Sequence, residues 1–359
     1  MNTVNNFFLS DNELLGHFRD AFTEFRKRVQ KPTILIPGLT DKYKPSLIRF
    51  MFGQDMDVSS KDDANAKGFH TYASEHIPID VIASKGIERL EQESGNLFDR
   101  KIHMVWYFIS DFTERSLYYD YYNIEYLVKE RMLPTCIIYT PDGTDVPPRD
   151  VLDMMQTFVS EKFGNRIRSF QISAKKVKDH DIDWNPLMEW SVSLLKDKEE
   201  LRRGFIVSQR LNIDLKDEEA RERNKSYRAA AGALGAAPTS YSMNALSSLQ
   251  IWNAADLFCV YGFDNCIQGD KELMIQIGRR LMVLLNELCP TNSFITADVA
   301  KRVTVYLIYG LWILTRRFHM RDETLTSEKL HKLFSEKNIS RLIEELKKKQ
   351  SEEPHLTDD

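Results

Sequence analysis

The chain has few of the features that mark a secreted, membrane-spanning or metal-binding protein. Its four cysteines lie far apart in 359 residues and without C-x-x-C spacing, which argues against a disulfide framework and a metal site. No apolar run reaches the roughly 20 residues needed to cross a bilayer. The N-terminus also lacks the basic segment and apolar core of a secretion signal. We therefore expect a cytoplasmic protein.

Excess positive charge and common catalytic motifs are absent too. The formal net charge of -4 gives no support for a nucleic-acid partner. The eight histidines show no H-E-x-x-H spacing and no G-x-S-x-G motif occurs, so we assign no catalytic residue and no metal ligand. With 42% hydrophobic and 28% charged residues, the chain has the composition of a globular protein long enough for two domains.

Alternating strand and helix patterns between residues 30 and 200 predict an α/β domain with a mostly parallel sheet and helices on both faces. Beyond residue 200 only helical patterns remain. We therefore predict an N-terminal helix (1–29), the α/β domain (30–200), an all-helical domain (201–350) and a disordered tail (351–359). The predicted strands are Thr33–Ile36, His70–Ala73, Ile79–Ala83, His103–Ile109, Thr135–Thr140 and Arg168–Ser173.

The first predicted strand is followed by the layout of a phosphate-binding loop, G-x-x-x-x-G-K-[ST] and then a helix. In such a loop, backbone N–H groups and a helix N-terminus converge on phosphate oxygens. Gly38 and Lys44 have the correct spacing, but Tyr43 replaces the second glycine and Pro45 replaces the Ser/Thr. Proline has neither a hydroxyl for Mg²⁺ nor an N–H for a phosphate, although it suits the first turn of a helix.

The motifs that a guanine-nucleotide switch protein needs further along are incomplete. The second phosphate motif, D-x-x-G, keeps Gly86 but has Ala83 at the acid, and Thr71 falls inside a strand rather than before it. The base-reading [NT]-K-x-D is replaced by Pro141-Asp142-Gly143. The last motif is intact, as Ser173-Ala174-Lys175.

In this order, the motifs make residues 30–200 resemble the Era-like P-loop GTPases. The resemblance is to a subgroup with D-T-K-G-[IL]-E and an aromatic W-Y in the next strand, matched by Ser84–Glu88 and Val105–Ile109. Residues 205–265 resemble the alanine-rich helical domain that follows some of these GTPases, with Ala229–Pro238, Leu246–Gln250 and Tyr261-Gly262. The resemblance implies a P-loop GTPase-like sheet, GTP binding and hydrolysis. The lost magnesium and base contacts contradict the hydrolysis.

Our interpretation is a pseudo-GTPase, a regulatory or structural module without catalytic residues or cofactor that binds a protein partner or a second copy. One alternative is an atypical GTPase that binds GTP and Mg²⁺ with help from a dimer partner. A second is a peripheral membrane protein anchored by the small residues of Ala229–Ala237, which we instead expect to pack against other helices. If nucleotide binding persists, its residues are Gly38, Lys44, Gly86, Ser173, Ala174 and Lys175.

Overall fold

The protein is described as a computed structural model that covers most of the chain. It describes residues 9–38, 44–58, 68–84, 90–93, 97–110, 112–139, 149–164, 167–171, 183–236, 239–289, 296–319 and 325–352. The chain divides into two compact units. The sheet unit is Val29–Asn212, and the helical unit joins Met1–Arg28 to Ile213–Asp359. This division groups the N-terminal helix with the helical unit and residues 201–212 with the sheet, unlike the boundaries predicted at 29 and 200.

The sheet unit contains seven strands among its described residues, in the spatial order β2-β3-β4-β1-β5-β6-β7. The strands are β1 Thr33–Ile36, β2 Asp57–Val58, β3 Phe69–Ala73, β4 Asp80–Ser84, β5 Met104–Ile109, β6 Thr135–Tyr139 and β7 Arg168–Gln171. Strand β3 runs antiparallel to both neighbours, whereas β4, β1, β5, β6 and β7 are parallel. This is the mostly parallel sheet that the alternation predicted.

Helices cover both faces of this sheet. They are α2 Lys44–Phe52, α3 Leu90–Glu93, α4 Glu114–Glu125, α5 Arg149–Phe163, α6 Asn185–Leu194 and α7 Glu199–Ser208. A π-helical turn, Tyr126–Glu130, continues α4. The sequence did not predict α7, which begins at Glu199, beside the domain boundary predicted at residue 200.

The inner strand β5 shows why the sheet is buried on both faces. All six of its residues are buried, as expected for a parallel strand between two helical layers. On one face, the ring of Trp106 stacks on Phe52 of α2, and its Nε1 donates to Ser191 Oγ of α6 at 3.2 Å. On the other face, Tyr107 belongs to the core cluster and donates to Asp120 of α4 at 2.8 Å. Both aromatic residues are therefore core residues.

The helical unit consists of helices alone in its described part. They are α1 Asp11–Lys27, α8 Ile213–Gly235, α9 Thr239–Tyr261, α10 Asp264–Gln268, α11 Lys271–Leu288, α12 Ala297–His319, α13 Ser327–Leu333 and α14 Glu336–Glu352. The capping box predicted at the start of α1 is present, since Ser10 and Glu13 bond reciprocally. Of the predicted disordered tail, Ser351 and Glu352 instead continue α14, and residues 353–359 lie outside the described residues.

The small residues at the end of α8 pack closely against α12. A Cβ on Gly235 would lie 2.6 Å from the Thr296 carbonyl oxygen, and one on Gly232 would meet the side chain of Lys301. Helix α9 follows α8 and has buried residues on most sides, although Leu249 and Trp252 are half-buried. Ala231, Gly232 and Gly235 of the alanine-rich segment are buried in helix packing, as the sequence led us to expect, whereas Ala229, Ala233 and Ala236 are exposed.

Asp270 joins two helices of this unit and gives a pH-dependent prediction. It caps α11 by accepting from Leu273 N at 2.9 Å, and it also accepts from Ser327 and contacts His331 Nε2 at 3.0 Å. The Ser327 hydroxyl and the Leu273 N–H lower the pKa of Asp270 to about 2, below its usual value of 3.8. The ionised form is therefore favoured in the folded protein.

We expect Asp270→Ala to destabilise the protein by about 1 kcal/mol at pH 7, the usual cost of losing an N-cap. Because the folded pKa is lowered, the stabilisation by Asp270 is fully present above about pH 4 and is lost as the pH falls towards 2. Urea unfolding at several pH values measures this. The control is Asp20→Ala at an exposed position of α1, and a loss that did not shrink at acid pH would contradict the assignment.

Candidate functional site

The loop that follows β1 begins with a glycine in a left-handed backbone conformation. Gly38 has a φ of 85°, the left-handed region that favours glycine. A Cβ at this position would lie 1.8 Å from the backbone oxygen of Phe108, and Phe108 N donates to Pro37 O at 3.0 Å. The start of the loop is therefore held against the end of β5, and this close approach alone is a reason for glycine.

Lys44 is the first residue of α2, where the lysine of a phosphate-binding loop is expected, and its side chain is buried. Its ammonium group donates a hydrogen bond to the backbone oxygen of Ser84, at the carboxyl end of β4. The two meet because β1 and β4 are adjacent parallel strands, so the segments that follow them lie at the same edge of the sheet. In this structure a protein carbonyl oxygen accepts from the amine that would otherwise contact a phosphate.

The positions that would hold Mg²⁺ carry no oxygen ligand. Ala83, where a GTPase has its aspartate, is a buried methyl group on β4 that pairs in register with Ile36 of β1. Pro45 lies in the first turn of α2, and its ring has neither a hydroxyl nor an N–H. Thr71 lies within β3, and its hydroxyl accepts from Arg100 Nη1 at 3.0 Å. The chemistry at these three positions does not fit a magnesium ion.

Several predicted site residues lie outside the described residues. These are Tyr43, Gly86, the segment Pro141-Asp142-Gly143, and Ser173, Ala174 and Lys175. The structure thus brings together Gly38, Lys44 and the end of β4, and leaves the base-binding side of the site as a prediction. The sequence did not identify Ser84 as the acceptor for Lys44, because a backbone carbonyl has no sequence signal.

In the part of the chain that the structure describes, no group of three or more His, Cys, Asp or Glu side chains is arranged to hold a metal ion. None of the helices described is both long enough and apolar enough to span a bilayer. Burial raises the pKa of the Cys136 thiol well above its usual value, so this cysteine of β6 is an inert core residue.

Comparisons with known proteins found similarity only among solved structures. No family model and no curated protein matches the chain. The G domain of the T. maritima FeoB iron transporter matches at 14% identity and a TM-score of 0.32, over 46% of this chain and 99% of that one. The cytosolic domain of L. pneumophila FeoB matches at 12% identity and a TM-score of 0.30, over 77% and 97%.

A GDP-bound mutant of the S. thermophilus FeoB G-domain also matches, at 12% identity and a TM-score of 0.29, over 79% of this chain and 98% of that one. TM-scores below 0.5 carry no argument about this chain. The description of the sheet as mostly parallel, with β3 reversed, therefore rests on its own strand order and pairing.

Proposed function

We propose that this protein is a GTPase-like module that does not hydrolyse GTP and that acts as a regulatory or structural protein-interaction module. The observation that carries the proposal is the buried methyl group of Ala83 at the magnesium position. Hydrolysis by P-loop enzymes depends on a metal ion that neutralises the charge developing on the phosphates. Pro45 removes a second ligand, so two residues would have to change to restore the magnesium shell.

The bond from Lys44 to Ser84 supports the same proposal. Lys44 is 2% exposed, and a lysine so far removed from water needs acceptors for its N–H groups. A phosphate would have to compete with the Ser84 carbonyl for this amine. Each charge-assisted hydrogen bond that is missing costs binding about 1.5–3 kcal/mol, so the loss of several weakens nucleotide binding by orders of magnitude.

Calorimetry with GTP and Mg²⁺ tests the nucleotide part of the proposal. We expect no low-micromolar binding and no phosphate release by the purified chain. The matched variants are Lys44→Ala at the site and Lys162→Ala on the surface of α5, where Lys162 pairs with Glu125. A low-micromolar, magnesium-dependent isotherm that disappears in Lys44→Ala and persists in Lys162→Ala would overturn the proposal.

That result would instead support the second candidate, an atypical GTPase. One observation favours this candidate: Lys44 keeps its place at the start of the helix that follows the loop. Under this hypothesis the missing magnesium ligands come from a second copy of the chain. GTP binding would then strengthen with protein concentration, which a titration at several protein concentrations measures.

The outer side of α4 supports the interaction part of the proposal. Tyr118 is 63% exposed, and the guanidinium of Arg115 lies 6.0 Å from the ring centroid of Tyr119. Tyrosine and arginine are enriched in protein interfaces. If this surface mediates self-association, sedimentation velocity will show a concentration-dependent oligomer that Tyr118→Ser weakens. A wild-type chain that stays monomeric at high concentration would exclude self-association and leave a different protein as partner.

A further inference from the structure

The sheet unit has a cavity at the amino ends of its strands, the edge opposite to the one that carries Gly38 and Lys44. Its volume is about 500 Å³, within the range of small-molecule sites. Thr33 and Asp80 begin β1 and β4, and His103 immediately precedes β5. Its lining includes Lys31, Asp80, Arg100, Lys101 and His103.

Hydrogen bonds hold the walls of this cavity in place. Gln30 N donates to Glu200 O of α7 at 3.0 Å, which fixes one wall to a helix. On another wall, Lys31 Nζ donates to Ser74 O at 2.9 Å. Arg100 is oriented by its bond to Thr71 described above. The cavity is thus built from positioned side chains on strands, a helix and the segment before β5.

Positive charge predominates in the lining. Lys31, Arg100 and Lys101 are cationic, and Asp80 is the one acidic residue among the lining residues given. His103 Nδ1 accepts from Thr33 N at 2.9 Å, so the neutral ring carries its proton on Nε2 as a donor. Burial, together with the charges of Lys101 and Lys198, lowers the pKa of His103. The potential in this region therefore favours an anion.

We propose that this cavity binds a small organic anion whose charged group is a dianionic oxyanion such as a phosphate ester. Arg100 supplies the planar guanidinium that suits such a group, and Lys31 and Lys101 supply point charges. The aliphatic stems of the exposed Lys31 and Lys101 offer apolar surface to the organic part, since Ile82 and Leu201 of the lining are themselves buried. This site is separate from the loop at Gly38 and Lys44, so it does not depend on whether GTP binds there.

Phenyl phosphate and inorganic phosphate are the probes for calorimetry with the full chain at moderate salt. We expect phenyl phosphate to bind with a sub-millimolar Kd and inorganic phosphate more weakly, because the phosphate alone does not contact the lysine stems. Arg100→Gln weakens phenyl phosphate binding at least about tenfold. Asp80→Asn strengthens it, because the variant removes the carboxylate that repels the anion.

The pKa of His103 gives a second measurement of binding, and its change on binding would not result from a general loss of folding. The charged groups around His103 are Lys31, Arg100, Lys101, Lys198 and Asp80. A bound dianion offsets the cations among them, so the pKa of His103 is expected to rise when phenyl phosphate saturates the site. A pH titration of the ring nitrogens by NMR, with and without phenyl phosphate, measures the change.

Matched variants separate this site from others. Arg168→Gln replaces an exposed arginine on β7 and is expected to leave phenyl phosphate binding unchanged. If Arg100→Gln does not fold, Lys101→Gln at an exposed position replaces it and is expected to weaken binding. Any of three results would overturn the proposal: no binding at about 10 mM probe, equal binding by the Arg100 and Arg168 variants, or binding abolished by Lys44→Ala alone.

Discussion

A Gly38→Ala variant is expected to be destabilised by about 3 kcal/mol. Part of this cost is the left-handed backbone, which is unfavourable by about 1–2 kcal/mol for a residue with a Cβ. The rest is the collision of the Cβ with the Phe108 carbonyl oxygen at 1.8 Å. A backbone oxygen of a central strand cannot move aside, and overpacking in such places costs about 1–3 kcal/mol.

Gly164 provides the control for this prediction. It lies in the same unit and also has a positive φ of 58°, but a Cβ there would meet no atom within 4 Å. Gly164→Ala is therefore expected to lower the free energy of unfolding by about 1 kcal/mol, the cost of the left-handed backbone alone. Urea unfolding followed by tryptophan fluorescence compares the two variants. Equal losses of stability would show that the contact with β5 does not constrain the loop.

The result matters for the interpretation of the loop. Gly38 is required by packing against β5 whether or not a phosphate binds, so the glycine by itself is not evidence of nucleotide binding. The residues that discriminate are those whose side chains would contact the ligand. Ala83 and Pro45 lack those groups, and Lys44 is bonded to Ser84.

Most strands were predictable because short apolar runs alternate with helical patterns. Strand β1 has the predicted bounds. Strands β3 and β5 differ from the prediction by one residue at their first end, and β4 is shifted by one residue at both ends. The two-residue strand β2 was missed because Asp57 and Val58 are both exposed and carry no burial signal. Helix α7 was missed because its charged first turn resembles a linker, although Gly204 packs against Gln30 O.

The site was predictable only where residue type decides the chemistry. That Ala83 and Pro45 carry no oxygen ligand for a magnesium ion follows from the sequence alone. The contact between Lys44 and Ser84 joins residues 40 positions apart through a backbone atom, and the cavity gathers residues from Gln30 to Leu201. Such groupings depend on strand order, which single-sequence patterns do not determine.

The largest loss of stability in the helical unit is expected from Asp256→Ala. Asp256 is 1% exposed on α9 and accepts from Arg28 Nη2 at 2.9 Å and from Arg223 Nη1 at 3.0 Å. The guanidinium of Arg223 also bonds Glu219 at 3.0 Å and lies 4.3 Å from the ring centroid of Phe25. The carboxylate thus links the chain just after α1 to α8 and α9.

Removing the carboxylate leaves the nearly buried Arg223 with one fewer counter-charge, and breaking a buried pair in this way costs about 3–5 kcal/mol. The control is Asp11→Ala, which breaks an exposed ion pair between α1 and Arg279 and is expected to cost no more than about 1 kcal/mol. Urea unfolding gives the two losses, and hydrogen exchange of the α1 amides shows whether the helix loosens. If the two variants were equally stable, the buried network would not be what holds α1 in the helical unit, and the apolar contacts of Phe18 and Phe22 would have to suffice.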